Sequence, residues 1–261
     1  MILTKEFENW LGDLLLVKEY QDYCPNGLQV EGVEQLKKIA FAVSCSLDVL
    51  EKCDKWKPDA LVVHHGILWD YQGGKKITGA YYKKLKILMD HQINLFAYHL
   101  PLDGHPEYGN SAGLLRSLSI SEEFQPFGKY KGMPIGLKSQ FSKPISAQQL
   151  SEKLGKILQR NVLYGPLLLS NSNAPSKIKT IGIITGGAGK YWEEASKLRL
   201  DAFITGEISE HHYHDAREAG LYLFAAGHHA TERFGVLNLM KLIKEKNKKI
   251  EVTFFDSDNP I

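Results

Sequence analysis

Cysteine is scarce in this 261-residue chain: Cys24, Cys45 and Cys53 are an odd number with no CxxC spacing. Neither a disulfide framework nor a zinc knuckle is indicated. No apolar run approaches the length of a membrane span, and the opening MILTKEFENW carries no stretch resembling a secretory signal. An excess of one charge is missing too, with 32 basic against 30 acidic side chains and a net charge of +2. That balance argues against a dedicated electrostatic surface for nucleic acid. The one dense basic run, MKLIKEKNKK, reads as the solvated end of a helix. Phosphate-loop signatures are absent as well. TGGAGK (185–190) matches neither GxxxxGK[ST] nor GxGxxG; its amides could cradle an anion, and a tight turn alone would require the same glycines. These absences point to a soluble protein of a reducing cytoplasm, long enough for one large domain or two modest ones.

What is present is an alternation of apolar runs with amphipathic segments, the pattern of α/β architecture. Strands are expected at 39–44, 60–65, 93–99, 180–185, 201–206, 221–227 and 251–256, with helices at 46–56, 78–92, 146–159, 189–200, 209–220 and 230–246. Ser146 or Ser151 is placed to cap the third of these helices, and Gly220 to end the fifth. Segments 121–145 and 165–177, richer in Gly, Pro, Ser and Asn, read as connections, the first as a boundary between lobes 1–125 and 126–261. KIAFAVSCSLDVLEKCDKWKPDALVVHHG can be laid against KTIGIITGGAGKYWEEASKLRLDAFITGE at an offset of 141 to 142 residues. A third strand follows in each copy. The expected fold is therefore α/β, with two related lobes from an internal duplication.

Polar residues recur at matching points of this repeat. LVVHHGILWD ends a strand that reads as buried on His64 and His65, and buried strands tolerate such ends only when the imidazoles bond to something. Adjacent strand residues point to opposite faces, so Gly66 is expected to let the chain leave strand geometry and bring both rings to one site. Gly206 and Glu207 end the corresponding strand of the second copy. Asp103 follows the third strand of the first copy, in a turn between Pro101 and Gly104; His228 and Glu232 follow that of the second, four residues apart. Open α/β sheets place their sites at such strand ends. Five nitrogen and oxygen ligands exceed the three of a catalytic zinc site and suit two metals, which at roughly 3.5–4 Å separation activate a bridging water for hydrolysis. The donor set favours zinc, manganese, iron or nickel over copper(I). His99 is a candidate for support of the ligands or for proton donation. Glu207 is a candidate general acid/base, if a groove desolvates it. His211, His212 and His214 share one helix, where at least one is expected to face solvent.

VVHHG with its downstream tryptophan, HxxxD in YHLPLDGH, TGE followed by histidine, and GHHATE together resemble the YbgI-like, Nif-three-type family of dinuclear metal proteins, known as GTP cyclohydrolase 1 type 2 homologues. The resemblance spans nearly the whole chain. It implies metal ligands at His64, His65, Asp103, His228 and Glu232, two divalent ions per subunit, a two-lobed α/β/α subunit, and a toroidal homohexamer with sites facing an inner cavity. The expected activity is metal-dependent hydrolysis of a small polar, nucleotide-like substrate; the rival expectation is a non-catalytic metal-binding scaffold or regulator.

Overall fold

The computed structural model describes residues 1–120, 123–165 and 174–261; most of the connection expected at 165–177 lies outside them. Contacts group the chain into two units, Met1–Leu102 with Gly235–Asp258, and Asp103–Phe234 with Asn259–Ile261. The grouping differs from a single cut between residues 125 and 126: the C-terminal helix and strand return to the first unit, and Asp103 opens the second.

The first unit begins with β1 (Ile2–Leu3), α1 (Thr4–Leu14), β2 (Gly27–Val30), β3 (Gln35–Leu36), β4 (Lys38–Ser44), α2 (Leu47–Trp56), β5 (Ala60–His65), α3 (Gly79–Asp90) and β6 (Asn94–Ala97). A short helix, α4 (Leu100–Gly104), leads out of it. The second unit holds α5 (Asn110–Ser117), β7 (Gln125–Tyr130), β8 (Met133–Ile145), α6 (Ala147–Leu158), β9 (Leu163–Gly165), β10 (Ile178–Ile183), α7 (Trp192–Lys197), β11 (Ala202–Thr205), α8 (Glu210–Glu218), β12 (Tyr222–Ala225) and α9 (His228–Thr231). α10 (Arg233–Lys246) and β13 (Glu251–Phe254) complete the first.

The first unit's main sheet has the order β13-β4-β5-β6-β2, parallel except for the β2 edge; the second has β7-β8-β10-β11-β12-β9, with β10, β11 and β12 parallel. Parallel strands covered on both faces need unbroken apolar runs. Ala60–Val63 of β5 and Ala202–Ile204 of β11 are fully buried, as that requires. Each such Val, Leu, Ile or Phe side chain contributes about 1.5–3 kcal/mol relative to exposure. Burial leaves room for polar chemistry only at the strand ends.

Both sheets carry the same device at the opposite end. Asp59 accepts hydrogen bonds from the amides of Lys37 and Lys38 at 2.7 and 2.8 Å, and Asp201 accepts them from Lys179 and Thr180 at 2.8 Å each. Ile39 pairs with Ala60, and Ile181 with Ala202, so register and carboxylate recur together at an offset of 142 residues.

Segment 121–145 is not a linker. Its described part forms the β7–β8 hairpin, whose turn residues Lys131 and Gly132 both have positive φ, 47° and 92°, the geometry that matches strand twist in two-residue hairpins. Pro134 and Pro144 sit near the two ends of β8, where a missing amide costs the ladder least. Ser146, rather than Ser151, caps α6: its hydroxyl accepts from Gln149 N at 3.1 Å while Gln149 Oε1 accepts from Ser146 N at 2.9 Å. Gly220, at φ 72°, follows the end of α8 as expected. No helix among the described residues is long and apolar enough to cross a membrane. All three cysteines are free and buried in the first unit, and burial pushes each thiol up to about 12.

Hydrogen bonds to a charged group contribute about 1.5–3 kcal/mol, so Asp59→Ala and Asp201→Ala should each lower the thermal midpoint by several degrees. Thermal unfolding monitored by circular dichroism would show it; an unchanged midpoint would remove the strand-end role of these carboxylates.

Candidate metal centre

In the first unit, His64 closes the buried run of β5. Its Nδ1–H donates to the backbone carbonyl of Tyr98 at 2.9 Å. A carbonyl only accepts, so this bond fixes the tautomer and leaves the lone pair on Nε2. His65 places Nδ1 2.9 Å from the Ser44 hydroxyl, across the β4–β5 ladder from it. His99 follows β6 and gives its Nδ1–H to Asp22 Oδ1 at 2.9 Å, with both side chains buried. Each of the three offers a ligand atom within 4.8 Å of the other two. His99 thus belongs to the cluster itself rather than to a shell behind it.

Asp22 is the residue that the sequence motifs do not reveal. Its carboxylate also accepts from Tyr23 N at 2.7 Å, Leu100 N at 2.9 Å and Asn26 Nδ2 at 3.0 Å. Burial pushes its pKa up, and the hydrogen bond and charge of His99, with the Asn26 and Leu100 donors, outweigh that and hold it below the usual aspartate value. The signal available in DYCPNG was only that of a polar loop; its partner His99 lies 77 residues away. Gly66 also plays a different part from the one expected. Its φ is not positive, and a Cβ there would lie 2.2 Å from Gln29 Oε1. That oxygen accepts from Ile67 N at 2.9 Å and Leu68 N at 3.3 Å. The glycine is needed for the close approach of a side chain that turns the strand end.

In the second unit, Asp103 lies in the short helix α4 and is buried. Its Oδ1 accepts from Asn110 Nδ2 at 2.9 Å and Thr185 Oγ1 at 3.1 Å. His228 begins α9 and reaches Glu232 at its end, Nε2 to Oε2 3.1 Å, while its Nδ1 bonds the Glu207 carboxylate. Burial lowers the His228 pKa, but the hydrogen bond and charge of Glu232, then those of Glu207, outweigh it and push it up to about 9. Gly186 has φ 66°, and a Cβ on it would lie 2.1 Å from Glu232 Oε1, so the turn after β10 is shaped to the carboxylate. Glu207 is half exposed rather than desolvated in a groove; it is placed to orient His228.

The other candidates are accounted for by local structure. Within TGGAGK, the amides of Gly186 and Ala188 already donate to Thr231 Oγ1 and Thr205 Oγ1, at 3.2 and 3.3 Å, which removes half of the expected anion cradle. His212 Nδ1 accepts from Ser209 N at 3.0 Å to cap α8, and burial lowers its pKa. His214 pairs with Glu210 on the exposed side of that helix at 2.9 Å.

The first unit's imidazoles with Nδ1 engaged, and the second unit's buried carboxylates at Asp103 and Glu232, are each donors of a type suited to a borderline divalent cation. A sequence profile of the DUF34/NIF3 family, NGG1p interacting factor 3, matches residues 2–260. The chain belongs to the DUF34/NIF3 family. DUF34/NIF3 relatives include the "GTP cyclohydrolase 1 type 2 homolog" of Vibrio cholerae, 40% identical over 258 residues with 98% of both chains covered. The protein of the same description from Pyrococcus abyssi is 40% identical over 257 residues, 97% of both. Among solved structures, protein ybgI, described as of unknown function, matches with a TM-score of 0.90 at 36% identity, and TTHA1606 from Thermus thermophilus with 0.86 at 29%, each over the full length of both chains.

One property of this DUF34/NIF3 chain is set by the raised His228 pKa. A histidine held at about 9 against an ordinary 6.5 contributes stability in full below pH 6.5 and loses it as pH rises through 9. Metal-free protein should therefore lose urea resistance between pH 6.5 and 9, and Glu232→Gln should flatten that slope. Equal slopes for the two proteins would show that the carboxylate does not hold the proton.

Proposed function

We propose that the chain is a metal-dependent hydrolase in which His64, His65, Asp103, His228 and Glu232 hold two divalent cations, zinc, iron, manganese or nickel. The substrate is a small polar molecule of nucleotide type. The observation that carries the reading is the treatment of the histidines: His64, His99 and His228 each commit Nδ1 to a carbonyl or carboxylate, and His65 to a hydroxyl. In the first unit His64, His65 and His99 engage Nδ1 in this way while each offers a ligand atom within 4.8 Å of the other two, an arrangement that burial of the rings alone does not require. The name "GTP cyclohydrolase 1 type 2 homolog" borne by relatives supports the hydrolytic class.

Bound there, a pair of divalent cations supplies an acidified water and a Lewis acid for a carbonyl or phosphoryl oxygen. The chain's own residues do the rest. Asp22 orients His99 through Nδ1, so that the ring can deliver a proton from Nε2 to a leaving group. Glu207 holds the His228 ring and Asn110 and Thr185 hold Asp103, so the ligands do not reorganise during turnover. A toroidal homohexamer working in the reducing cytoplasm belongs to the same reading. The words "interacting factor" in the family description favour the scaffold reading, in which metal binds and nothing turns over.

Elemental analysis of purified protein should find two divalent equivalents per chain, and alanine at any of the five ligands should remove at least one. Metal-loaded protein should hydrolyse a member of a panel of nucleotides, cyclic amides and phosphoesters. Asp22→Asn should keep the metal and slow that reaction about 10²–10⁴-fold, the usual contribution of a positioned acid. Full metal content with every compound intact would favour the scaffold and end the hydrolase reading.

A further inference from the structure

The rings of the first unit do not stop at the histidines. Trp69 lies against two of them, with ring centroids 5.9 Å from His65 and 5.2 Å from His99. Tyr23 meets His99 edge-on at 4.9 Å and approaches Trp69 to 5.9 Å. Tyr71 completes a triangle, 5.7 Å from Trp69 and 6.2 Å from Tyr23, and is 69% exposed. Five rings therefore run without a break from the histidine cluster to solvent, each contact within the range of favourable aromatic pairs.

The three outer rings are tilted by 32°, 35° and 53° to one another. No pair lies flat against its neighbour. Gly73 and Gly74 follow Tyr71 closely, and a Cβ on either would meet nothing within 4 Å, so the chain around the exposed Tyr71 is open. Aliphatic ligands need an enclosed apolar pocket, whereas an exposed tyrosine beside a half-buried tryptophan suits a flat ring.

We propose that Trp69 and Tyr71 form a stacking platform for a planar heteroaromatic ring, as in a nucleobase, held beside His65 and His99. The proposal rests on the hydrolase reading in taking the bound molecule to be a substrate, and it names the part of that substrate the chain reads. Trp69 positions the ring against the histidines, and Tyr71 extends the same surface towards solvent.

The full chain, metal-loaded and metal-free, should be titrated with guanosine, adenosine and ribose 5-phosphate, followed by tryptophan fluorescence and calorimetry. The nucleosides should bind and quench, with ribose 5-phosphate at least tenfold weaker. Tyr71→Ala should weaken nucleoside binding roughly 5- to 100-fold, and Tyr71→Phe should restore it, with metal content the same in all three proteins. No nucleoside binding, equal binding of ribose 5-phosphate, or an unaffected Tyr71→Ala would overturn the platform. The readout needs no turnover, so the two ideas fail separately. Nucleoside binding without hydrolysis of any compound sinks the hydrolase alone. Hydrolysis of a non-aromatic compound without nucleoside binding sinks the platform alone.

Discussion

An imidazole has two nitrogens, and a site that uses one must decide what the other does. Left to solvent, the ring flips and changes tautomer. Given a fixed acceptor, it presents one lone pair in one direction. The acceptors here differ in strength: a backbone carbonyl for His64, a hydroxyl for His65, a buried carboxylate for His99 and a half-exposed one for His228. A carbonyl can only accept, which fixes the tautomer of His64, while the carboxylates of Glu232 and Glu207 raise the pKa of His228. Each unit thus fixes its own rings with acceptors of its own.

The same constraint explains where these residues sit. Strands β5 and β11 are apolar until their last residues, so a polar side chain can find partners only where the ladder stops. At one end of each sheet the solution is structural: Asp59 and Asp201 absorb strand amides. At the other end it is chemical, with His64 and His65 closing β5 and Glu207 just past β11. Two uses of polarity are thereby kept at opposite edges of each hydrophobic slab.

Most of the regular elements were legible because their signals are local. Strand β5 falls at 60–65 as its apolar run predicts, and the α6 cap is readable from Ser146 and Gln149 alone. The β7–β8 hairpin was obscured by composition, since proline and glycine normally punctuate chains and here occupy strand ends and a tight turn. The candidate site divides in the same way. Adjacent or closely spaced residues such as His64 with His65, or His228 with Glu232, announce themselves. Asp22, Gln29, Asn110 and Thr185 do not, because each acquires its role from a partner brought near by folding, 38 residues away for Gln29 and 82 for Thr185. Sequence patterns register chemistry carried by a motif and miss chemistry created by proximity.

The three cysteines, placed on one unit only and held as neutral thiols, give the molecule an internal asymmetry. A thiol that scarcely ionises at neutral pH is shielded from electrophiles and oxidants for as long as its surroundings stay closed. Covalent capture of sulfur would thus record transient breathing of the strands that bear the histidine doublet, while motions of the Asp103–Phe234 portion would leave no such mark.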